Sequence, residues 1–423
     1  MIVNKITKVI PKSKKGKSKH IVALDIGTEY IKALIGKVDG DDIEVVGVGR
    51  SHQGLADMQG GAISDIAGVV DNCEEALNKA EQMAGVDAEE VVIGIAGELV
   101  KGTTTTIRFK RTNPKKEIST EEMDLIIKRV QQRAEQSAKD SLALELGKDI
   151  EVRLVNSALV SIEIDGYRVS NPIGFQGRDV AIQLYTAFAP MIHIGALERT
   201  AQMLSLDLIA VAAEPFAVAR SVIGSDASST LSAILIDVGG GTTDIAVVNE
   251  GGVEGTKMFG IGGRSYTRGL ANEFGLEFDK AEDVKLALSS HRIAETKRRA
   301  AQKAINKTLS VWISGVELGL GEFESLDHLP NSILLCGGGA SLDALVDELS
   351  KTSWYKQLPF TKRPTVTHIQ PEQVPGIVDK TSSIQDHTYI TAMGLLRVGL
   401  DTISGVDESS GSIRDRLNKI LQI

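Results

Sequence analysis

The stretch DVGGGTTD, residues 237–244, decides how this 423-residue chain folds. The apolar run LSAILI precedes it and the apolar run IAVV follows it, which predicts a tight turn between two buried strands. Consecutive glycines weaken a strand pair, so their presence indicates that another group approaches the backbone closely. Because glycine lets backbone N–H groups converge on an anion, the stretch predicts a phosphate-binding hairpin.

A second copy of this pattern lies near the N-terminus. DIGTEYI at residues 25–31 aligns with DVG at 237–239 and, after two inserted glycines, with TTDI at 242–245. Two copies predict two similar domains that face each other, each with one loop in a shared cleft. The Asp that opens each turn, Asp25 or Asp237, can bind Mg²⁺ through water or orient an attacking water. Neither copy is a Walker A motif or a dinucleotide fingerprint.

A third glycine cluster, LLCGGGASL at residues 334–342, stands between a predicted strand and a predicted helix. Such a turn can pack its backbone against a base or ribose and present a helix N-terminus to phosphate. A tight strand-to-helix turn with no ligand explains the same residues. This stretch alone leaves both interpretations open. The presence of the two glycine hairpin turns in the same chain favours a ligand-binding role.

Composition and charge narrow the class of protein. The formal net charge is −9, although the first 20 residues hold seven lysines and no acidic residue. The acidic remainder argues against nucleic acid as a partner. The arm at residues 1–19 is predicted to be a solvated disordered tail, with contact to anionic lipid as the alternative. Cys73 and Cys336 lie far apart, which indicates neither a disulfide framework nor a metal site and is expected in a reducing cytoplasm.

The chain ends in GSIRDRLNKILQI, residues 411–423. A helix there would be amphipathic, and a spacer at residues 401–411 precedes it. We predict that the helix at 412–423 binds the anionic surface of a membrane; a helix docked on the protein core and a frayed tail are the alternatives. The predicted membrane-facing residues are Ile413, Leu417, Ile420 and Leu421.

The order of motifs resembles a known superfamily. DIGT, EPFAVA, DVGGGTTD, CGGGASL and AMGLL follow one another as in the five-part signature of the actin-like ATPases. The resemblance implies an α/β fold with two lobes, each a ribonuclease-H-like domain, and nucleotide between them. Within the superfamily the chain is most similar to the FtsA family of bacterial cell-division proteins. The block after GIAGELVKG, the segment DGYRVSNPIGFQG and the C-terminal helix resemble the inserted α+β subdomain 1C and the membrane-targeting helix of that family.

The resemblance also implies a domain organisation. We expect a basic arm at 1–19, subdomain 1A at 20–97 and 191–225, subdomain 1C at 98–190, subdomain 2A at 231–265 and 330–400, a reduced subdomain 2B at 266–329, the linker at 401–411 and the helix at 412–423.

Roles for individual residues follow from the matching motifs. Asp25 and Asp237 are expected to face the phosphates and to bind Mg²⁺ through water, and Glu214, which opens EPFAVA, to polarise the attacking water. Glu282 and Lys285 of AEDVK are expected near ribose or adenine, with a solvated ion pair as the alternative. The remaining predicted nucleotide contacts are Gly27, Thr28, Gly239, Gly240, Gly241, Thr242, Thr243, Gly337, Gly338 and Gly339.

The function implied is that of an ATP-binding protein that assembles into filaments and tethers an FtsZ-like division ring to the cytoplasmic face of the membrane at the division site. A slow ATPase is compatible with the sequence, in which no arginine finger is evident. Pilus-assembly scaffolds of the PilM kind share the 1C-containing plan and are the alternative. A small-molecule kinase would need an Asp base and a sugar pocket, for which we find no motif.

Overall fold

The computed structural model describes residues 19–404 except 148, 225–228, 291, 325, 352 and 353. Residues 1–18 of the predicted basic arm lie outside the described residues. The predicted C-terminal helix also lies outside them, with its four membrane-facing residues Ile413, Leu417, Ile420 and Leu421.

The strands and helices are numbered in chain order. The strands are β1 His20–Ile26, β2 Tyr30–Asp39, β3 Asp42–His52, β4 Met58–Gln59, β5 Ala62–Ile63, β6 Glu90–Ile95, β7 Lys101–Lys110, β8 Val152–Ile164, β9 Tyr167–Arg168, β10 Asp179–Pro190, β11 Asp207–Ala213, β12 Ala233–Val238, β13 Thr243–Asn249, β14 Gly252–Phe259, β15 Ser332–Cys336, β16 Thr365–His368 and β17 Ile377–Asp379. The helices are α1 Ile66–Ala84, α2 Thr120–Leu146, α3 Met191–Met203, α4 Glu214–Ile223, α5 Gly263–Phe274, α6 Phe278–Ser289, α7 Glu295–Gly321, α8 Asp343–Leu349 and α9 Ile390–Ser404.

The first large sheet has the strand order β11-β6-β1-β2-β3-β17. Strands β1 and β2 form an antiparallel hairpin, whose turn holds Gly27, Thr28 and Glu29. Strand β6 pairs in parallel with β1, so the turn of the hairpin and the carboxyl end of β6 share one edge of the sheet. Helices α1 and α9 pack on this sheet, which explains why β1 is buried on both faces.

The second large sheet has the order β16-β15-β12-β13-β14-β7-β10-β8-β9. It repeats the arrangement of the first, because β12 and β13 form an antiparallel hairpin and β15 pairs in parallel with β12. Every residue of β12 is buried. The turn of this hairpin holds Gly239, Gly240 and Gly241, so both copies of the repeated motif are hairpin turns, as predicted.

The segment predicted as an α+β insertion joins the second sheet. Strands β7, β10, β8 and β9 continue it, and β14 pairs with β7 through Gly255 opposite Thr103 and Thr256 opposite Gly102. The junction is close, since a Cβ on Gly102 would lie 2.0 Å from Thr256 Oγ1 and 2.5 Å from the Tyr185 hydroxyl oxygen. A glycine is therefore required where these strands meet.

Helices α5, α6 and α7 cover the second sheet between Gly263 and Gly321. Trp312 of α7 is fully buried against the sheet, and its Nε1–H donates to Thr243 Oγ1 at 2.9 Å. Among the helices of the described part of the chain, none has both the length and the apolar character needed to cross a bilayer.

Candidate functional site

The turns of the two hairpins lie against each other. A Cβ on Gly240 would lie 2.8 Å from Glu29 Cβ, and a Cβ on Gly241 would lie 2.8 Å from Thr28 Oγ1. Side chains at these two glycines would separate the turns. Glycine at both positions thus keeps the backbone N–H groups of the second turn close to the first turn.

Four carboxyl groups gather beside these turns, and each is buried. Asp25 and Asp237 are each the next-to-last residue of the first strand of a hairpin, Asp244 follows the second turn, and Glu214 begins α4. The antiparallel register places Asp237 directly opposite Asp244. Lys32 lies opposite Asp25 in the first hairpin, and its Nζ is 2.8 Å from Asp25 Oδ2.

Burial and mutual repulsion perturb the ionisation of this group. Burial raises the pKa of Glu214 well above its usual value, and Asp25, Asp244 and Asp237 raise it further. Burial and then the charge of Asp237 do the same to the pKa of Asp244. Burial also raises the pKa of Asp237, against the opposing effect of the Thr391 hydroxyl, which donates to Asp237 Oδ2.

Lys32 responds in the opposite sense. Burial acts to lower its pKa, but the charge of Asp25, the hydrogen bond to Asp25 and the charges of Asp237 and Glu214 together raise it. A raised lysine pKa beside raised carboxyl pKa values describes a site with more negative than positive charge. Such a site favours a cation or the uptake of protons.

The donor set fits a hydrated Mg²⁺. Magnesium prefers carboxylate oxygens and usually keeps several of its waters, and Asp244 Oδ1 is a buried oxygen with no partner among the described residues. Within the described ranges, no three His, Cys, Asp or Glu side chains are grouped so as to hold a metal ion directly. Contacts through water, as predicted for Asp25 and Asp237, suit this arrangement.

The third glycine cluster lies against the second hairpin. Gly337 has φ of 81°, and a Cβ there would lie 2.0 Å from Asp237 Oδ1 and 2.6 Å from the Val238 carbonyl oxygen. A Cβ on Gly339 would lie 3.0 Å from the Gly239 carbonyl oxygen, whereas one on Gly338 would meet no atom within 4 Å. The cluster therefore follows β15 and packs its backbone beside Asp237, with Gly338 facing open space.

Glu282 and Lys285 form an ion pair of 2.7 Å that is mostly buried. Lys285 Nζ also donates to the Gly263 carbonyl oxygen at 3.2 Å, and the Gly263 N–H donates to the Gly239 carbonyl oxygen at 2.9 Å. Through these contacts the pair supports the first turn of α5 beneath the second hairpin turn. It is more than a solvated pair on a helix surface.

The two threonines of the second turn have different surroundings. The Thr243 hydroxyl donates to the Ile261 carbonyl oxygen at 2.6 Å and accepts from Trp312 Nε1–H. Both of its hydrogen bonds are therefore made within the protein. The Thr242 carbonyl oxygen accepts from the Gly239 N–H at 2.9 Å, which closes the turn.

The structure adds four residues that sequence reasoning left out of the site: Lys32, Asp244, Arg264 and Thr391. Asp244 stands in the quoted motif, and Thr391 directly precedes AMGLL, so both had a signal. The alternation of β2 indicates the face on which Lys32 lies, but its place opposite Asp25 depends on the hairpin register. Arg264 had no signal, because it contacts a residue far away in the chain.

Comparison with known proteins shows that this chain is similar to one family. The family model described as cell division protein FtsA matches residues 234–394, which include the second hairpin and the third glycine cluster. FtsA of Pseudomonas aeruginosa is 25% identical over 96% of this chain and 98% of its own length. FtsA of Neisseria meningitidis serogroup B is 24% identical over 94% of both chains.

The chain is similar to the FtsA family of cell division proteins. The resemblance predicted from the motifs is thereby confirmed, and it extends over nearly the whole chain. Among solved structures, a chain of the PilM-PilN type IV pilus biogenesis complex superposes with a TM-score of 0.65 at 16% identity and covers 93% of this chain and all of that one. This likeness shows the fold alone, and the predicted α/β fold with two similarly arranged sheets is confirmed.

Proposed function

We propose that this chain binds ATP with Mg²⁺ between its two lobes. The observation that carries the proposal is the meeting of two glycine turns, Gly240 against Glu29 and Gly241 against Thr28, beside buried carboxyl groups. Converging backbone N–H groups suit phosphate oxygens, and the carboxyl groups suit the hydrated cation that accompanies a triphosphate.

Each element of the site would then have one task. Asp25 and Asp237 would hold the hydrated Mg²⁺, which when bound neutralises charge on the phosphates. Gly337 and Gly339 would bring the third glycine cluster to the base or ribose, and Glu282 with Lys285 would hold the first turn of α5 in place. Glu214 would accept a hydrogen bond from the attacking water in its ionised form and so support slow hydrolysis.

We further propose that the chain acts in cell division as an FtsA-like, actin-like protein. In this role it would assemble into filaments and tether an FtsZ-like division ring to the cytoplasmic face of the membrane. The similarity to FtsA proteins over nearly the full chain supports this role. The fold likeness to PilM does not favour a pilus scaffold over it, because that likeness concerns the fold alone.

The C-terminal helix would be the membrane contact. Four aliphatic side chains, each half buried at about 1 kcal/mol, give roughly 4 kcal/mol before the cost of ordering the helix. One helix would therefore bind weakly and reversibly, whereas a filament with many such helices would remain bound by avidity.

Co-pelleting of the full chain with vesicles rich in phosphatidylglycerol, with and without Mg²⁺ and ATP, tests this role. We expect ATP with Mg²⁺ to increase the amount of protein that pellets with vesicles. Without vesicles, ATP with Mg²⁺ should yield polymer that sediments. Leu417→Asp should abolish vesicle binding, whereas Asn418→Asp adds the same charge beside the apolar face and should weaken binding much less. Equal binding by both variants would refute the membrane helix, and the lack of polymer in every nucleotide state would favour a pilus-type scaffold.

A further inference from the structure

Arg264 is a buried cation at the junction of the two lobes. It lies in the first turn of α5, and its side chain is 6% exposed. Its backbone N–H donates to the Gly240 carbonyl oxygen at 2.7 Å, which fixes it beside the second hairpin turn. Its Nε–H donates to Glu29 Oε2 at 2.7 Å, so the side chain reaches the first hairpin turn in the other lobe.

Glu29 is held in place from three directions. Its carboxylate accepts from Arg264 and lies 3.0 Å from His52 Nε2, and its backbone carbonyl oxygen accepts from the Gln53 N–H at 2.9 Å. Glu29 also follows Thr28 directly and touches Gly240. The Arg264 guanidinium is therefore anchored where the two turns converge.

Two buried donors near this point have no acceptor among the described residues. Arg264 Nη2 is one, although its neighbour Nη1 lies 3.5 Å from the Leu55 carbonyl oxygen. Gln53 Nε2 is the other, and Gln53 is fully buried. Leaving a buried N–H group without an acceptor is costly, especially on a charged group. Two such donors, on residues that both bind Glu29, match a ligand that carries acceptor oxygens and negative charge.

Arg111 shows how the same fold treats an arginine with a purely structural task. Its side chain is also buried, and its Nε and Nη2 donate to the two carboxylate oxygens of Glu122 at 2.7 and 2.9 Å. Its Nη1 donates to the Gly177 carbonyl oxygen at 3.0 Å. All three nitrogens of Arg111 are thus satisfied within the protein, whereas Arg264 keeps one buried nitrogen unused.

We propose that Arg264 binds the terminal phosphate of the nucleoside triphosphate and that Glu29 is a positioning residue that holds the guanidinium in place for it. This inference rests on the proposed nucleotide site and adds to it the positive charge that the motifs do not supply. A diphosphate lacks this phosphate, so Arg264 would distinguish triphosphate from diphosphate. A guanidinium suits the task because its planar N–H groups match the oxygens of a phosphate.

The test is the ratio of ATP to ADP affinity, measured by isothermal titration of the full chain in Mg²⁺ buffer. We expect Arg264→Ala to weaken ATP binding at least tenfold, which corresponds to about 1.4 kcal/mol, and ADP binding less than threefold. Arg264→Lys should keep part of the preference for ATP. Arg268→Ala removes an exposed arginine one turn later in the same helix and should leave the ratio unchanged.

Glu29→Ala separates positioning from direct binding. In the wild-type background it should reduce the preference for ATP, whereas in the Arg264→Ala background it should change the ratio no further. If Arg264→Ala does not fold, as judged by circular dichroism, Arg264→Lys and Glu29→Ala decide the question. An unchanged ratio of ATP to ADP affinity in Arg264→Ala, whether or not both affinities fall, would overturn the role of Arg264 but not the proposed nucleotide site. A wild-type chain that binds neither nucleotide would overturn the proposed site together with this inference.

Discussion

Replacing Lys32 with Met removes the positive charge that the buried carboxyl groups share. Lys32 Nζ lies 2.8 Å from Asp25 Oδ2, and the two side chains are 13% and 4% exposed. Met preserves the length and most of the packing of the side chain but not its charge. Asp25 would then be a buried carboxylate without its ionic partner, and Glu214 and Asp237 would repel its charge.

The expected cost follows from this burial. Removing one partner of a buried ion pair destabilises a protein by about 3–5 kcal/mol, and the partial exposure of Lys32 places this case near the lower value. With a urea dependence of about 2–3 kcal/mol per molar, a loss of about 3 kcal/mol lowers the unfolding midpoint by roughly 1 M.

Urea unfolding followed by circular dichroism at pH 7 measures this loss. Lys37→Met is the matched control, since Lys37 lies on the same strand in an exposed pair with Glu44. The double variant Asp25→Asn with Lys32→Met should recover most of the lost stability at pH 7. A Lys32→Met protein no less stable than Lys37→Met at pH 7 would refute the reasoning.

Two further substitutions probe the carboxyl groups and the third glycine cluster. Burial and then neighbouring carboxylates raise the folded-state pKa of Glu214 above 4.5, so its contribution to stability falls as pH rises through that value towards the folded pKa. Glu214→Gln removes this loss and should raise the urea midpoint relative to wild type at pH 8 but not at pH 4; equal shifts at both pH values would count against it. Gly337→Ala forces a Cβ to 2.0 Å from Asp237 at a φ of 81° and should cost more than about 2 kcal/mol. Gly338→Ala meets no atom and should change the melting temperature little, so similar melting temperatures for both alanine variants would contradict the close packing of Gly337.

The local patterns of the sequence predicted much of the fold. The glycine turns at 27–29 and 239–241 lie between apolar strands, and both are hairpin turns. They could be predicted because strand patterns and turn residues are local signals in the sequence. The repeat of the two motifs predicted two facing units, and the fold has two sheets of the same hairpin arrangement. The motifs also led us to expect Asp25 and Asp237 beside the nucleotide, and both are buried next to the turns.

Contacts that depend on register or on distant segments were not predicted. Lys32 is placed opposite Asp25 by the hairpin register, which a turn of uncertain length does not define. The contact between Arg264 and Glu29 joins residues 235 positions apart, and no local period reports it. The pairing of β14 with β7 at Gly102 has the same origin, since a glycine in a strand indicates close approach without naming the partner.

The most direct test of the nucleotide site is an equilibrium titration of the full chain with ATP in Mg²⁺ buffer, for wild type and Asp237→Ala. Asp347→Ala serves as control, because Asp347 is an exposed carboxylate on the neighbouring helix α8. We predict saturable binding of one ATP per chain by wild type and Asp347→Ala, and at least a tenfold loss of affinity, about 1.4 kcal/mol, in Asp237→Ala. No saturable binding by wild type, or unchanged affinity in Asp237→Ala, would contradict a nucleotide site between the two lobes.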